Sequence, residues 1–297
     1  MSGVTDAEAA FCAHRGALLG LAYRILGSLT EAEDVVQEAW LRWDRAIRSA
    51  VPVREPKAYL LKITANAALD QVRVTGRARE SYVGPWLPEP LLTTPDGAEQ
   101  ATIAESVSMA MLVVLQTLSP LERAAFVLRE AFGFGYGEVA AVLGRSEPAV
   151  RQLVHRAREH VQARRPRFEP DQHQRRSATE CFLQAAGSGD LNALLEVLAP
   201  EVTLVADSGG QVRAPRRTIA GATKVARFFA AIAPDIPAGT DIHIATVNGT
   251  PAGVATLRGL PYAVFALDVT ESGQVDRILL VANPDKLAGL SRAWARR

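Results

Sequence analysis

The sequence predicts a multidomain protein in which two all-α domains precede an α+β domain. The chain of 297 residues has room for two or three domains at about 150 residues each. Helical patterning continues to about Arg167 and gives way to strand-like runs beyond it. Hydrophobic residues make up 48% of the chain, which is enough to form packed cores and excludes a wholly disordered protein.

Composition excludes several classes of protein. No apolar run approaches the roughly 20 residues that a membrane-spanning helix needs, and the N-terminus lacks the basic and then apolar pattern of a signal peptide. The two cysteines, Cys12 and Cys181, lie far apart, so neither a disulfide framework nor a zinc site organises the fold. We therefore expect a cytoplasmic protein that has no contact with a membrane, no metal and no cofactor.

The formal net charge of +1 conceals two basic segments. Residues 45–79 hold eight basic and two acidic side chains, and residues 145–167 hold seven basic and two acidic ones. Residues 80–138, between them, hold eight acidic and two basic side chains. This arrangement indicates a polyanion that is contacted at two places, and solvated helical faces are the alternative.

Helix signals and prolines divide the first hundred residues. Four prolines exclude a helix over Ser81–Gly97, which is therefore predicted as an extended linker, and helix resumes near Ala101. Three helices are predicted before the linker: Phe11–Leu26, a second that begins at a capping box of Thr30 and Glu33, and Pro56–Val74.

A helix-turn-helix is the strongest local signal. After a capping box at Ser119 and Glu122, a short helix ends at Gly144, and Ser146 caps the next helix. One face of that last helix is apolar, and its flank is basic. Arg can donate two hydrogen bonds to a guanine edge in the major groove. An ordinary helical hairpin is the alternative; the residues predicted to bind DNA are Ser146, Arg151, Gln152, His155, Arg156 and Arg158.

The third helix offers a second candidate surface for nucleic acid. Aromatic, amide and basic side chains share one face of it, at spacings of 0, 3, 7, 11 and 14 residues. Such groups can stack on unpaired bases, contact base edges and hold the backbone. The candidates are Tyr59, Lys62, Asn66 and Arg73, together with Asp70 on the same face.

The second helix has a mostly acidic stripe of Asp34, Glu38 and Arg42, with Trp40 and Trp43 nearby. Acidic groups do not bind DNA, because DNA is itself a polyanion. The stripe is therefore either a solvated face or a contact for a protein partner.

Beyond residue 170, helices come first and strands follow. This order predicts an α+β domain in which helices cover a curved antiparallel sheet. The predicted helices are Arg175–Ala186, Leu191–Leu198 and Ala222–Ala233, and the predicted strands are Val202–Ala206, Thr240–Val247, Gly253–Arg258, Tyr262–Val269 and Val275–Ala282.

Two stretches resemble extracytoplasmic-function sigma factors. AYRILGS (22–28) with AEDVVQEAWLRW (32–43) resembles their first conserved domain, and LSPLERAAF (118–126) through Arg158 resembles their promoter-binding second domain. The resemblance implies that the third helix acts on the −10 element and the helix after Ser146 on the −35 element. It also implies that core RNA polymerase binds the acidic helix through Asp34, Gln37, Glu38 and Leu41.

WLPEP (86–90), the linker motif, and NPDKL (283–287), the tail motif, resemble motifs of the sigma-factor subgroup that carries a SnoaL-like C-terminal extension. This extension is a cone-shaped α+β fold. The subgroup's Asp-Gly-Gly-Gly-Lys turn is altered here, with Ser208 and Gln211 at its second and fifth positions. The linker motif is expected to present an exposed indole, and the turn and tail are expected at the surface. The residues predicted to mediate an intramolecular contact between the cone and the sigma domains are Trp86, Leu87, Pro88, Glu89 and Pro90, then Asp207, Gly209 and Gly210, then Asn283, Pro284, Asp285, Lys286 and Leu287.

These observations predict a sigma factor with four segments: residues 8–80, the linker 81–100, residues 101–163 and the cone 175–290. We expect the cone to regulate the sigma domains in cis. One alternative is a helix-turn-helix regulator whose cone senses a ligand. Another is an enzyme in the cone, with Asp207, His243 or Asp268 as acid–base groups. No convincing acid–base pair is seen, so catalysis is not expected, and the acidic helix and proline-rich linker favour the sigma factor.

Overall fold

The computed structural model describes residues 2–49, 53–93, 107–164 and 170–296. The chain forms two compact units. Unit 1 comprises Met1–Glu80 and Met111–Arg165, and unit 2 comprises Ser81–Ala110 and Pro166–Arg297. The segment predicted as a linker therefore belongs to the same unit as the C-terminal domain.

Unit 1 begins with three helices that pack on one another: α1 (Ser2–Leu26), α2 (Leu29–Arg48) and α3 (Pro56–Glu80). The third is longer than predicted, since it continues through Thr75 and Gly76 to Glu80. The predicted capping box of Thr30 and Glu33 is wrong. Gly27 turns the chain with a φ of 73°, and the Ser28 hydroxyl then caps α2 by accepting the N–H of Glu31 at 3.3 Å.

The second half of unit 1 contains the helix-turn-helix. The capping box at Ser119 is present, since Ser119 and Glu122 each accept the other's backbone N–H. Gly144 makes the turn with a φ of 61°. The predicted restart of helix near Ala101 lies outside the described residues, as does Pro95. The described elements are α4 (Met109–Gln116), α5 (Pro120–Phe126), a π-helical segment (Val127–Ala131), α6 (Tyr136–Leu143) and α7 (Glu147–Arg164).

Two guanidinium groups join the two predicted helical domains inside unit 1. Arg123 of α5 is 4% exposed and donates to the carbonyl of Ile25 at the end of α1 and to Oε1 of Gln116, both at 2.6 Å. Arg79 of α3 donates to the same Oε1 at 2.9 Å and to the carbonyl of Leu26 at 2.6 Å. Burial, and secondly the charge of Arg79, lowers the pKa of Arg123 to about 10.

Unit 2 contains a six-stranded sheet in the order β2-β1-β6-β5-β4-β3. Strands β3 to β6 form the predicted antiparallel meander, but β1 runs parallel to β6. The long connection between those two strands permits this pairing. Neither β2 nor the last helix was predicted. The elements are α8 (Gln172–Ser188), α9 (Leu191–Val197), β1 (Leu198–Asp207), β2 (Ile219–Ala220), α10 (Ala222–Ile232), β3 (Thr240–Val247), β4 (Thr250–Leu257), β5 (Leu260–Val269), β6 (Val275–Val281) and α11 (Pro284–Trp294).

Helices α8 and α10 cover one face of this sheet. Their buried side chains form one core with the strands, in which the rings of Phe182 and Phe229 lie 5.1 Å apart. A side chain at Gly253 of β4 would come within 2.6 Å of Leu183, so α8 packs directly on the strand backbone. Helical domains followed by an α+β domain are thus present, and the predicted fold class is confirmed.

Candidate functional sites

Asp207, at the end of β1, is completely buried and binds the linker. Its Oδ2 accepts the backbone N–H of Leu87 at 2.7 Å and the ammonium of Lys286 at 2.6 Å. Its Oδ1 accepts the hydroxyl of Tyr82 at 2.5 Å. Lys286 also donates to the carbonyl of Leu87 at 2.5 Å. One ion pair therefore fixes both the N–H and the C=O of a linker residue.

Two aromatic rings of the linker surround this ion pair. The ammonium of Lys286 lies 3.9 Å from the centroid of the Trp86 ring and 5.1 Å from that of Tyr82. Burial, together with the hydrogen bond to Asp207, raises the pKa of Tyr82. Asn283 donates to the Tyr82 hydroxyl at 2.7 Å. Tyr82 was not predicted to lie in this site; its only signal in the sequence is an aromatic hydroxyl next to the proline-rich motif.

The second part of the linker pairs with the edge of the sheet. Leu91 donates its N–H to the Asn248 side chain at 3.0 Å and accepts the Asn248 N–H at 2.8 Å. Thr93 donates to the carbonyl of Thr246 at 2.8 Å, beside an antiparallel bridge between Leu92 and Val247. The linker thereby pairs with the C-terminal end of β3, which is an edge strand of the sheet. Asn248 was not predicted, although an Asn-Gly dipeptide between strands marks a hairpin turn.

The turn after β1 approaches the start of α11 closely. A side chain at Gly209, whose φ is 59°, would come within 2.6 Å of the Asn283 amide. Gly210, with a φ of 73°, lies against Val83 of the linker in the same way. Gln211 donates to the exposed carboxylate of Asp285 at 2.6 Å. A neutral amide therefore occupies the place of the family's lysine.

The expectation that turn and tail lie at the surface is wrong for several residues. Asp207 is fully buried because four donors bind its carboxylate, and Asn283 is 3% exposed and bonds to Tyr82 of the linker and to the N–H of Asp285 in α11. Trp86 is half-buried rather than exposed. Of the other predicted residues, Leu87, Pro88, Glu89, Pro90 and Leu287 are buried, Lys286 is partly buried, and Pro284 and Asp285 are exposed.

All residues of α7 and its cap that were predicted to bind DNA are exposed. Gln152 lies opposite the buried stripe of the helix, with His155 and Arg156 on either side of it. Arg151 and Arg158 lie on the flank next to His155. Ser146 precedes the helix. Each of these three arginines forms an ion pair: Arg151 with Glu147 at 2.5 Å, Arg156 with Glu122 at 3.1 Å and Arg158 with Glu130 at 2.7 Å.

The predicted face of α3 is only partly accessible. Lys62 and Arg73 are exposed, and Asn66 is half-buried. The ring of Tyr59 packs against that of Trp43, with centroids 5.8 Å apart. Arg73 forms an exposed ion pair with Asp70 at 2.7 Å, as neighbours on that face.

A cavity of about 280 Å³ lies at the N-terminal end of this face. Tyr59 and Lys62 of α3 line one side, and Glu138 and Val142 of α6 line the other, with Phe134 beside them. The first part of the candidate −10 face is therefore next to the helix-turn-helix within unit 1.

The acidic face of α2 is open. Asp34, Gln37 and Glu38 are exposed, and Leu41 is 51% exposed, which is unusual for a leucine on a helix with a well-buried opposite stripe. Arg42 pairs with Glu38 at 2.6 Å. This combination of acids around one accessible leucine suits a protein partner.

The three residues considered for catalysis are not brought together. Asp207 is occupied by the linker, and His243 is exposed on β3, beside Thr256 at 3.2 Å. Asp268 lies on β5, 3.6 Å from Arg277, and burial raises its pKa. Among the hydrogen bonds of the described residues, none joins any two of these three side chains. Within the described part of the chain, no helix is long and apolar enough to cross a membrane.

Comparison with known proteins identifies the family. Residues 11–78 match Sigma-70 region 2, and residues 108–161 match Sigma-70, region 4. The ECF RNA polymerase sigma factor SigJ of Mycobacterium tuberculosis is 36% identical over 94% of this chain and 92% of its own length. The probable ECF RNA polymerase sigma factor SigI of the same species is 33% identical over 97% of both chains.

A solved structure extends the likeness to the whole chain. The crystal structure of M. tuberculosis SigJ matches with a TM-score of 0.75 at 33% identity, and the match covers 96% of this chain and 98% of that one. It includes the C-terminal helix-plus-sheet domain. The prediction of an RNA polymerase sigma factor is thus confirmed: the chain belongs to the ECF RNA polymerase sigma factor family.

Proposed function

We propose that this sigma factor is regulated in cis, in the cytoplasm, by docking of its own linker on the C-terminal domain. The observation that carries the proposal is the buried Asp207, which takes hydrogen bonds from Tyr82 and from the backbone of Leu87. In the same proposal, α2 binds core RNA polymerase, α3 acts on the −10 strand and α7 binds the −35 duplex.

Promoter geometry explains why the linker is the point of control. Elements 25 base pairs apart lie about 85 Å apart along B-DNA, at 3.4 Å per base pair. A compact unit of about 135 residues has a radius of gyration of only about 14 Å. The two helical domains of unit 1 must therefore separate to reach both elements. Because they are joined through Ser81–Ala110, the path of that segment limits where the second domain can go.

Tethering makes even a modest docking energy effective. The C-terminal domain is on the same chain as its binding partner, so the linker meets it at high effective concentration. A shift of a few kcal/mol between docked and released states is enough for a switch. The cone residues considered for catalysis have other partners, which supports a regulatory rather than an enzymatic domain.

Run-off transcription with core polymerase tests this proposal. We expect Asp207→Asn and Trp86→Ala to raise output from a cognate promoter, because both release the linker. The matched control is Asp241→Asn, an exposed aspartate on β3 of the same domain. Equal output from wild type and both linker variants would contradict regulation by docking, and loss of output in the control would point to general damage.

The binding surfaces are tested separately. Asp34→Lys should abolish association with core polymerase, whereas Glu8→Lys, at an exposed site on α1, should not.

Gln152→Ala should relax base preference at the −35 element, while Arg156→Ala should weaken binding to all sequences alike. Asn66→Ala should impair open-complex formation and spare −35 binding; Gln71→Ala, on another side of α3, is its control.

A further inference from the structure

Five cations of unit 2 lie on one loop and on the helix that follows it. The backbone of Arg216 lies next to Gly84 of the linker, but the side chains of all five are exposed. From Ser208 to Pro234 the chain has no acidic residue, and every cation in that interval is exposed. We call this set the basic surface; it consists of Arg213, Arg216, Arg217, Lys224 and Arg227.

The fold brings the loop and the helix of this surface side by side. Arg213 lies 3.8 Å from Asp235, which follows the C-terminal end of α10. The loop ends at β2, which leads directly into the N-terminal end of α10. The loop therefore runs antiparallel along the helix. Lys224 and Arg227 lie one turn apart on α10, opposite its buried stripe.

These cations are poorly neutralised by the protein itself. Within the described residues, only Arg213 among these cations has an ion pair shorter than 4 Å. Its partner is Asp235, and both side chains are largely exposed. By contrast, the three arginines of α7 that were predicted to bind DNA each form an ion pair at 3.1 Å or less. One further acid lies on the neighbouring helix α9, the exposed Glu196. The five cations outnumber the two nearby acids, Asp235 and Glu196, so the basic surface keeps a net positive charge.

We propose that the basic surface binds the phosphate backbone of duplex DNA, giving the C-terminal domain a direct contact with the DNA that the sigma domains engage. Four of the five groups are guanidiniums, which match phosphate oxygens in pairs. The exposed large apolar residue of the loop is Val212, and not an aromatic ring. Single-stranded DNA is held by stacking on aromatic rings, so the surface suits the backbone of a duplex.

The test measures how binding depends on salt. The full-length chain is titrated by fluorescence anisotropy with a duplex of about 60 base pairs and arbitrary sequence, between 50 and 200 mM salt, since phosphate contacts do not depend on sequence. The first variant is Arg213→Gln/Arg216→Gln/Arg217→Gln. The second is Lys224→Gln/Arg227→Gln, on a different element. The control is Arg292→Gln/Arg296→Gln, which removes two exposed cations near the C-terminus, as many as the helix variant removes.

Removing one cation that binds a phosphate should reduce the slope of log K against log salt by about 1. If the loop variant no longer binds two or three of the phosphates, its defect should be about 10- to 40-fold larger at 50 mM than at 200 mM salt. The helix variant should show a smaller defect of the same kind. Slopes equal to wild type in both variants would overturn the proposal, and so would an equal reduction in the control, since net charge alone would then explain the effect. A variant that loses core polymerase binding at unchanged slope would assign the surface to a protein instead.

Discussion

Units 1 and 2 each contain a buried charged group that joins two parts of the chain, but the two groups are compensated differently. In unit 2, Asp207 joins the linker to the C-terminal domain and has the cation Lys286 at 2.6 Å. In unit 1, Arg123 joins the two helical domains and is bound to neutral oxygens. Among the described residues no carboxylate lies within 4 Å of Arg123, and its Nε has no hydrogen-bond partner.

The difference shows which contact is easier to open. Release of the linker would leave Asp207 paired with Lys286, since both lie in the C-terminal domain, but it would break three charge-assisted hydrogen bonds: those from Leu87 and Tyr82 to Asp207 and that from Lys286 to Leu87. Arg123 instead lies next to another cation, Arg79, and regains hydration when the domains part. We infer that linker docking is the stronger of the two contacts. The contact between the two helical domains of unit 1 would then open only after the linker is released.

The largest expected effect comes from Asp207→Asn. Removing the carboxylate leaves Lys286 desolvated without its counter-charge, which costs about 3–5 kcal/mol. Amide hydrogen exchange should show that Leu87 and Leu91 lose protection while the strands β4 and β5 stay protected. With Asp241→Asn as the control, protection of these two amides should be unchanged. Protection retained in Asp207→Asn would show that the carboxylate is not what holds the linker.

A smaller effect is expected from Arg123→Met. The change removes the donor to the buried carbonyls of Ile25 and Leu118, at about 1–3 kcal/mol for each group, whereas Gln116 keeps its hydrogen bond from Arg79. Part of the cost is offset because the buried cation is removed. We expect a net loss of about 2 kcal/mol in the unfolding free energy of unit 1, measured by urea denaturation. Arg145→Gln, at an exposed arginine in the turn, should change it by less than about 0.5 kcal/mol. A loss above that of Asp207→Asn would reverse our comparison.

Tyr82→Phe sharpens the comparison further. It removes one donor from Asp207 and one acceptor from Asn283, and should weaken docking by about 1.5 kcal/mol. The raised pKa of Tyr82 also predicts a pH dependence. The free linker ionises from about pH 10 upward, while the docked hydroxyl stays neutral, so docking is at full strength below about pH 10 and weakens as the pH rises beyond it. Exchange of the Leu87 amide, corrected for its intrinsic rate, should show this fall in wild type and lack it in Tyr82→Phe.

The smallest effect is expected from Gln211→Lys, which restores the family's turn residue. The new ammonium would meet Asp285, an exposed carboxylate, and exposed ion pairs contribute about 0–1 kcal/mol. Docking and transcription should change by less than about fivefold at physiological salt. A change as large as that of Asp207→Asn would mean that the turn, and not the buried ion pair, controls the linker.

Local patterns in the sequence determined most of the fold and many of the candidate surfaces. The helix-turn-helix followed from a capping box at Ser119 and a glycine turn at Gly144, which act within a few residues of the chain. The exposed faces of α2 and α7 followed from helical periodicity alone. An apolar or alternating run of residues predicted the strand Thr240–Val247, and the structure has it with the same bounds.

Tertiary structure alone decided which groups are buried and joined. The roles of Tyr82 and Asn248 depend on partners more than a hundred residues away, which no local pattern reveals. The polar turn of Asp207 looked like a surface feature, because polar residues usually stay in water. Here its carboxylate is buried, since four donors from the linker, the turn and α11 replace that water. Burial of a charge depends on whether the fold supplies such partners, and that is a property of the assembled structure.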